Sequence, residues 1–496
     1  MASSSKTVAG LAGLVGGRVV RGGDTELTDV THDSRQAHDG SLYVALRGEH
    51  VDGHAFVTEA VARGAAGVCV DHEVGSSVAE LVVADTRQVL GELAAAVHDF
   101  PSAIVKVVGV TGTNGKTTVT HYVESIARHA GRVTGLMGTI HTRAAGSTAP
   151  STLTTPEAPE FQRLLAEMRD AGVSVVAAEV SSHALELGRV RGTRFAVAAF
   201  TNLSQDHLDF HGDMVSYQGA KERLFTEYEV GTAVVNVADP VGAAIARAYQ
   251  GELVTVGTGA DVSVADLQLG PTGTRFRFET PWGGAQVEAP VLGEFNVANL
   301  AIAATCSLAV GIGFDEVLAG MTTVGGVPGR FEVVSGSDPI TVIVDYAHTP
   351  EGVARAVETG RRLTDGRVIG LIGAGGDRDR AKRPAMGRAI SMADFAVITS
   401  DNPRSEKPES IAEAVMSGVD PVSEHVLEID RHRAIDEAIA AAHDGDVVLI
   451  LGRGHEPFQD LGDGKIPFDD REVAAAALTR RRRSTGSGGR SGSITP

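Results

Sequence analysis

The chain has 496 residues, 43% hydrophobic and 4% aromatic, enough apolar content for about two to four cores built mainly of Val, Ala, Leu and Ile. A formal charge of −19 disfavours nucleic-acid partners, and no apolar run approaches the roughly 20 residues that membrane insertion needs. Cys69 and Cys306, far apart in apolar stretches, read as reduced core thiols; with no convincing cleavage site in MASSSKTVAGLAGLVGGRVV, the expected location is cytoplasmic.

Within residues 27–90, SLYVALRG reads as a strand, HAFVTEAVARG as a helix closed by Gly64, and GVCVD as a further strand. The proline break in FPSAIVKVVGVTG sets a boundary near Pro101, giving a mixed α/β domain over residues 1–100. A strand predicted over Ile104–Val110 runs into TGTNGKTT and a helix over Thr117–Ala130, with Val119, Tyr122, Val123, Ile126 and Ala130 on one face. VSVVAAEV and RFAVAAFTN read as buried strands ending in polar residues. Between Val262 and Val291 the period becomes two, an antiparallel excursion, and a helix is predicted over Asn299–Val310. TTVGGVPGRFEVV reads as a linker, so the central domain spans 101–329 and the third 330–483. ITVIVDY, RVIGLIGAGG, DFAVITSD and DVVLILGRG are the third domain's strands; Thr349 caps a helix that Pro350 begins. Arg480–Arg483 read as a solvated basic helix end and 484–496 as a disordered tail. The fold class is therefore α/β, with parallel sheets whose ligands sit beyond the strands' carboxyl ends.

Strand, glycine turn and helix in succession make Gly112–Thr118 a phosphate cradle of the short G-x-x-G-K-T form. Backbone N–H groups of Thr113, Asn114, Gly115, Lys116 and Thr117 can converge on phosphate oxygens, Lys116 adds charge, and the Thr117 hydroxyl suits Mg²⁺. Glu179, followed by Ser181, Ser182 and His183, and the group Asp206, His207, Asp209 and His211 stand at two further strand ends. A carboxylate and an imidazole there suit a divalent ion beside a triphosphate. From the residues alone, Lys221 in GAKERLF reads as an ordinary helix-surface lysine.

TGTNGKTT, EVSSHAL, TNLSQDHLDFHG, GAKERLF, GEFNVANLAIA, GRFE, DYAHTP and DNPR occur in this order and resemble the Mur ligases, the ATP-dependent amide-forming enzymes of peptidoglycan synthesis. THDSR, DGHAF and GGDRDRAKRP narrow the resemblance to the tripeptide-forming branch, over about residues 25–475. It implies an N-terminal uridine-nucleotide domain, a central P-loop ATPase-like domain and a C-terminal Rossmann-like domain. The implied substrates are ATP, UDP-MurNAc-L-Ala-D-Glu and meso-diaminopimelate, joined through an acyl phosphate by a monomeric enzyme.

The same resemblance assigns roles by motif. Gly112–Thr118, Asn299, Arg330 and Asp345 bind ATP, with His348 nearby; Thr117, Glu179, His207 and a CO₂-derived carbamate on Lys221 hold Mg²⁺. Lys116, Glu179, His207 and Lys221 form the catalytic set. Ser34, Thr154, Thr155, Ser181 and Arg189 meet the nucleotide-linked dipeptide, while Leu153 and Leu187 stand where some members have polar contacts. Arg383, Asp401, Asn402, Pro403, Arg404, Gly452 and Glu456 form the diaminopimelate pocket. A forked guanidinium at Arg404 would select diaminopimelate over lysine by its distal carboxylate, on the order of 10³-fold; the alternative for Arg404 is a pair with Glu406. Arg330 and Asp345 straddle the linker, which predicts a hinge there. A lysine-adding ligase, a folate-polyglutamylating relative, a non-catalytic precursor-sensing ATP module and a nucleic-acid ATPase are the competing readings.

Overall fold

The computed structural model describes residues 6–48, 51–144, 146–270 and 272–487. Its first sheet has the order Arg18–Arg21, Ala79–Val82, Gly67–Val70, Ser41–Val44, Asp29–Thr31, parallel except for the antiparallel edge strand Arg18–Arg21. The helix expected from HAFVTEAVARG opens as a 3-10 turn, Gly53–Phe56, because the Asp52 carboxylate accepts from His54 N; regular helix follows over Val57–Ala62.

Six parallel strands form most of the second sheet, in the order Glu252–Val256, Val230–Asn236, Phe195–Phe200, Lys106–Thr111, Val175–Glu179, Thr134–Met137. Two antiparallel strands, His141–Ala144 and Ser147–Pro150, extend its edge. Continuous Val/Ala runs are what a sheet covered on both faces requires. Val108 and Val110 pack with helices Lys116–His129 and Glu294–Ala309, whereas Val107 packs with residues of Ala158–Asp170 and Met214–Thr226. The antiparallel excursion is a three-stranded sheet, Ser263–Leu269, Thr274–Thr280 and Gly283–Ala289, whose Phe276 and Phe278 join the first of these cores. The following helix starts at Glu294, five residues before its predicted start, because Gly293 turns the chain at φ +85°.

The third sheet runs Glu332–Val333, Thr341–Asp345, Val447–Leu451, Val368–Ile372, Phe395–Ile398, Glu424–Leu427, parallel beyond its first short strand. Thr349 caps helix Pro350–Arg362, its hydroxyl accepting from Gly352 N. The basic run is not simply solvated: Arg480 pairs with Asp436, Arg481 with Asp444 (3.3 Å) and Arg482 with Asp338 (2.7 Å). It lies on helix Asp470–Ser487, which takes in the first four residues of the expected tail; the remainder lies outside the described residues. At the linker, Gly329 (φ +62°) crosses Gly454 (φ +55°) backbone to backbone, and a Cβ on either would strike the other strand of the crossing.

Candidate active site

Strand Lys106–Thr111 ends in a turn that glycine permits at two points. Gly112 has φ +143° and a Cβ there would overlap the Thr201 hydroxyl; Gly115 has φ +88° with Asn299 packed against it. The neighbouring strand end holds the turn: Thr113 N donates to Asn202 O (2.8 Å), Asn114 N to Asn202 Oδ1 (3.0 Å) and Thr201 Oγ1 to Asn114 O (2.6 Å). Lys116 bends back and donates to Gly112 O (2.9 Å) and Thr113 O (2.8 Å). Asn114, Gly115, Thr117, Thr118, Asn299, Arg330 and Asp345 line a cavity of about 520 Å³, within the range of small-molecule sites.

The third sheet completes this cavity. Asp345, at a strand end, accepts from Ala347 N (2.8 Å) and Phe331 N (2.6 Å); burial pushes its carboxyl pKa up, with Arg330 opposing. The Arg330 guanidinium lies over the Tyr346 ring, 4.4 Å from its centroid, and donates to Thr117 Oγ1 (3.1 Å). Thr117 in turn donates to Glu179 Oε2 (3.0 Å), while Thr139 N reaches Glu179 Oε1 (2.7 Å).

His207 stands in a left-handed conformation (φ +54°), edge-on to His183 at 4.8 Å between centroids. Burial, against the pull of Asp206, lowers its pKa to about 3, so the ring is neutral. Lys221 is 1% exposed, which overturns the surface reading of its pattern: Nζ donates to Gly112 O (2.8 Å) and sits 4.4 Å above the Tyr217 ring. Burial first, then Lys116, holds its pKa well below lysine's ordinary value. Tyr217 OH meets Thr113 Oγ1 at 3.1 Å, tying this helix to the turn. The oxygens of Thr117 and Glu179 with a neutral imidazole are a donor set that fits a hard divalent cation.

Thr154, Thr155, Ser181 and Arg189 form one chain leading from Glu179. Thr139 Oγ1 donates to Thr154 Oγ1 (3.2 Å), Thr155 Oγ1 to Glu179 O (2.8 Å), Ser181 N to Thr155 Oγ1 (3.1 Å) and Arg189 Nη1 to Thr155 O (3.4 Å). Arg189 also pairs with Glu157 (2.9 Å), as does Arg87 of the first domain (3.0 Å). Ser34 lies apart from this chain, donating to Glu59 Oε2 (3.1 Å) two residues beyond His32; burial lowers the His32 pKa while Glu157 opposes it.

Around the third sheet's strand ends, Asn402 Nδ2 donates to Glu456 Oε2 (2.6 Å), and Asp401 Oδ1 accepts from Asn402 N (2.5 Å). Burial, then Asp401, pushes the Glu456 pKa up. Gly452 (φ +112°) must lack a side chain, since a Cβ would lie 2.8 Å from Asp401 Oδ2; its N–H donates to Asp345 O (3.1 Å), joining this pocket to the larger cavity. Arg453, which the sequence did not single out, is fully buried and donates to Asn402 Oδ1 (2.8 Å). Its position inside GRGHE was a signal, but no spacing rule predicts a buried arginine there.

Arg404, at φ +51°, donates from Nη1 to Gly376 O (2.6 Å) and does not pair with Glu406. Arg383 does: its terminal nitrogens lie 2.8 and 3.1 Å from Glu406, and the residue is 3% exposed. Its fork is thus held by a protein carboxylate, where the resemblance expects a substrate carboxylate. Arg378 is exposed and donates from Nη1 to Asp377 O (3.2 Å); the Cβ position of Gly375 is 3.0 Å from Arg404 Nη1 and 3.8 Å from Arg378 Cγ.

Contacts also cross the cleft, none of them evident from spacing. Asp206 reaches His348 (3.5 Å) and Lys382 (3.8 Å), and Gln205 donates to Asp379 (3.2 Å). Elsewhere His54, Asp71 and His72 bring ligand-type atoms within 4.8 Å of one another. They bond one another and Arg47: Asp71 N donates to His54 Nε2 (3.2 Å), His72 Nδ1 lies 2.5 Å from Asp71 Oδ1, and Arg47 Nε pairs with Asp71 (2.5 Å). That group is a hydrogen-bonded network of the first domain.

Comparison with known proteins matches residues 26–98 to the model described as Mur ligase family, catalytic domain, residues 110–307 to the Mur ligase middle domain, and residues 329–454 to the Mur ligase, glutamate ligase domain. A protein of Gloeobacter violaceus, named UDP-N-acetylmuramoyl-L-alanyl-D-glutamate–2,6-diaminopimelate ligase, is 47% identical over 466 residues, 92% of this chain and 95% of that one. One of the same name from Geobacillus kaustophilus is 44% identical, covering 95% and 99%. A solved structure under that name superposes with a TM-score of 0.68 at 31% identity, over 93% of this chain and 97% of the other. The folylpolyglutamate synthase of Mycobacterium tuberculosis, solved with ADP and AMPPCP, shares the fold at a TM-score of 0.58 and 20% identity, over 78% and 93%.

Proposed function

The chain belongs to the Mur ligase family, and from that premise we propose that it links diaminopimelate to the D-glutamate side-chain carboxylate of UDP-N-acetylmuramoyl-L-alanyl-D-glutamate, converting ATP to ADP and phosphate. The observation that carries this reading is the junction at Asp345. Asp345 lines the phosphate-loop cavity and its carbonyl accepts from Gly452 beside Asp401, so one strand end adjoins both pockets.

The substrate carboxylate attacks the γ-phosphorus of ATP, the bond to ADP breaks, and an acyl phosphate forms. The amine then attacks the acyl carbon, phosphate leaves with its electron pair, and the amine loses a proton. With the N–H groups of Thr113 and Asn114 taken by Asn202, the turn holds the phosphates through those of Gly115, Lys116 and Thr117, and the Lys116 side chain is released from its two carbonyls to meet them. Thr117, Glu179, His207 and a carbamate on Lys221 would hold Mg²⁺, which supplies neutralisation of phosphate charge when bound. Thr154, Thr155, Ser181 and Arg189 aim the dipeptide carboxylate, while Ser34 meets the uridine end. Arg404 receives the amino acid's distal carboxylate, and Asp401, Asn402 and Glu456 its ammonium. The work of the protein is alignment and exclusion of water. Among the described residues no helix is long and apolar enough to cross a membrane.

The test is ADP release with each substrate omitted in turn, and with lysine in place of diaminopimelate. Turnover requiring all three substrates and falling about 10³-fold with lysine is expected. ADP release without the nucleotide-linked dipeptide, or no tripeptide product, would overturn the reading.

A further inference from the structure

Two loops of the third sheet interlock around Arg404. One follows strand Val368–Ile372 and carries Asp377; the other follows strand Phe395–Ile398 and carries Arg404, and both residues sit at φ +51°. Aspartate tolerates a left-handed backbone because its short side chain can bond locally, whereas arginine has no such compensation and must be held there. Asp460 O accepts from Arg404 N (3.2 Å), and the remaining holding groups come from the opposite loop. Asp377 Oδ1 accepts from Ser405 Oγ (2.6 Å) and Oδ2 from Ser405 N (3.1 Å), which pins the residue after Arg404. Glu406 returns the contact, accepting from Asp377 N (2.7 Å), and is itself gripped by Arg383 at 2.8 and 3.1 Å. Gly376 N donates to Asn402 O (2.9 Å), and Gly376 O receives Arg404 Nη1 (2.6 Å). Among the described residues the other guanidinium nitrogens of Arg404 have no protein acceptor.

From this we infer that Asp377 and Glu406 are positioning residues that set the choice of diaminopimelate over lysine, by locking the backbone that aims Arg404. The inference rests on the reading of Arg404 as the cation for the distal carboxylate. Lysine lacks that carboxylate, so a displaced Arg404 handicaps diaminopimelate alone and leaves the nucleotide and peptide sites untouched. Misplacement of a reacting or binding group by about 1 Å costs on the order of 10²-fold, which is the scale available to the lock.

Steady-state kinetics of Asp377→Ala, Asp377→Asn, Glu406→Gln and Arg404→Ala, with all three substrates varied, tests this. For Asp377→Ala and Glu406→Gln, kcat/KM for diaminopimelate should fall about 30-fold, mainly through KM. The KM values for ATP and the nucleotide-linked dipeptide, and the low activity with lysine, should stay. Asp377→Asn can adopt the same backbone and still accept from Ser405, so it should remain within about threefold of the parent. Unchanged selectivity in Asp377→Ala and Glu406→Gln, alongside its loss in Arg404→Ala, defeats the lock and spares the site. Loss of activity toward every substrate together with a lowered thermal midpoint also defeats it, since the role is then packing. Unchanged selectivity in Arg404→Ala defeats the underlying site reading instead.

Discussion

Lys221 illustrates how burial alters what one side chain can do. A solvated lysine is protonated at neutral pH, and CO₂ adds only to the free amine. At 1% exposure, burial first and then Lys116 hold the Lys221 pKa well below lysine's ordinary value, which moves its balance toward the free amine that a carbamate requires. We therefore expect a carbamate ¹³C signal from the protein in labelled bicarbonate, absent in Lys221→Ala, whose kcat should fall at least about 100-fold. A fully active Lys221→Ala would end that assignment. Gly452 makes the opposite case, a residue defined by what it lacks. Gly452→Ala places a Cβ 2.8 Å from Asp401 Oδ2 on a backbone at φ +112°, and should raise the KM for diaminopimelate about 10-fold while sparing that for ATP. The sequence placed both residues in the right motif. It did not reveal that Lys221 is buried or that Arg383 serves Glu406, because each depends on partners brought close only by folding; Glu406 is 23 residues from Arg383.

Among elements, those whose signals are local were legible. Runs such as DVVLIL and FAVAAF became central parallel strands because a doubly covered sheet tolerates nothing else, and Thr349–Pro350 announced a helix start that the cap bond realises. Strand order, the antiparallel edge Ser147–Pro150 and the early start at Glu294 were not legible, since they depend on partners distant in sequence or on one glycine torsion. The same holds for the ion pair of Arg431 with Asp470, both 0% exposed at the side chain, at 2.8 and 2.6 Å. Arg431 also donates to Ser400 O (3.2 Å) and Leu451 O (3.0 Å), so it ties the last helix to the strand ends that precede Asp401 and Gly452. Removing one member leaves a buried charge alone, and Asp470→Ala should destabilise the third domain by about 3–5 kcal/mol in urea denaturation. A change below about 1 kcal/mol would show that water reaches the site.

At the scale of the molecule, the histidines around the cleft give it a pH signature. Burial lowers the pKa of His121 and His455 to about 3 and of His183 to about 4. Each is neutral when folded and free to take a proton near pH 6.5 when unfolded. Between those limits the unfolded chain binds more protons, so stability is lost as pH falls through the window. The thermal midpoint should drop by roughly 5 °C or more from pH 7.5 to 5.5, and an unchanged midpoint would argue that these rings are solvated. The crossing of Gly329 over Gly454 carries a consequence for traffic between ligands. With no side chain to cushion them, the linker that brings Arg330 to Thr117 and the loop that brings Glu456 to Asn402 bear directly on each other. A nucleotide analogue that tightens diaminopimelate binding must then be tightened by it in equal measure, and a methyl wedged into the crossing by Gly329→Ala should uncouple the pair.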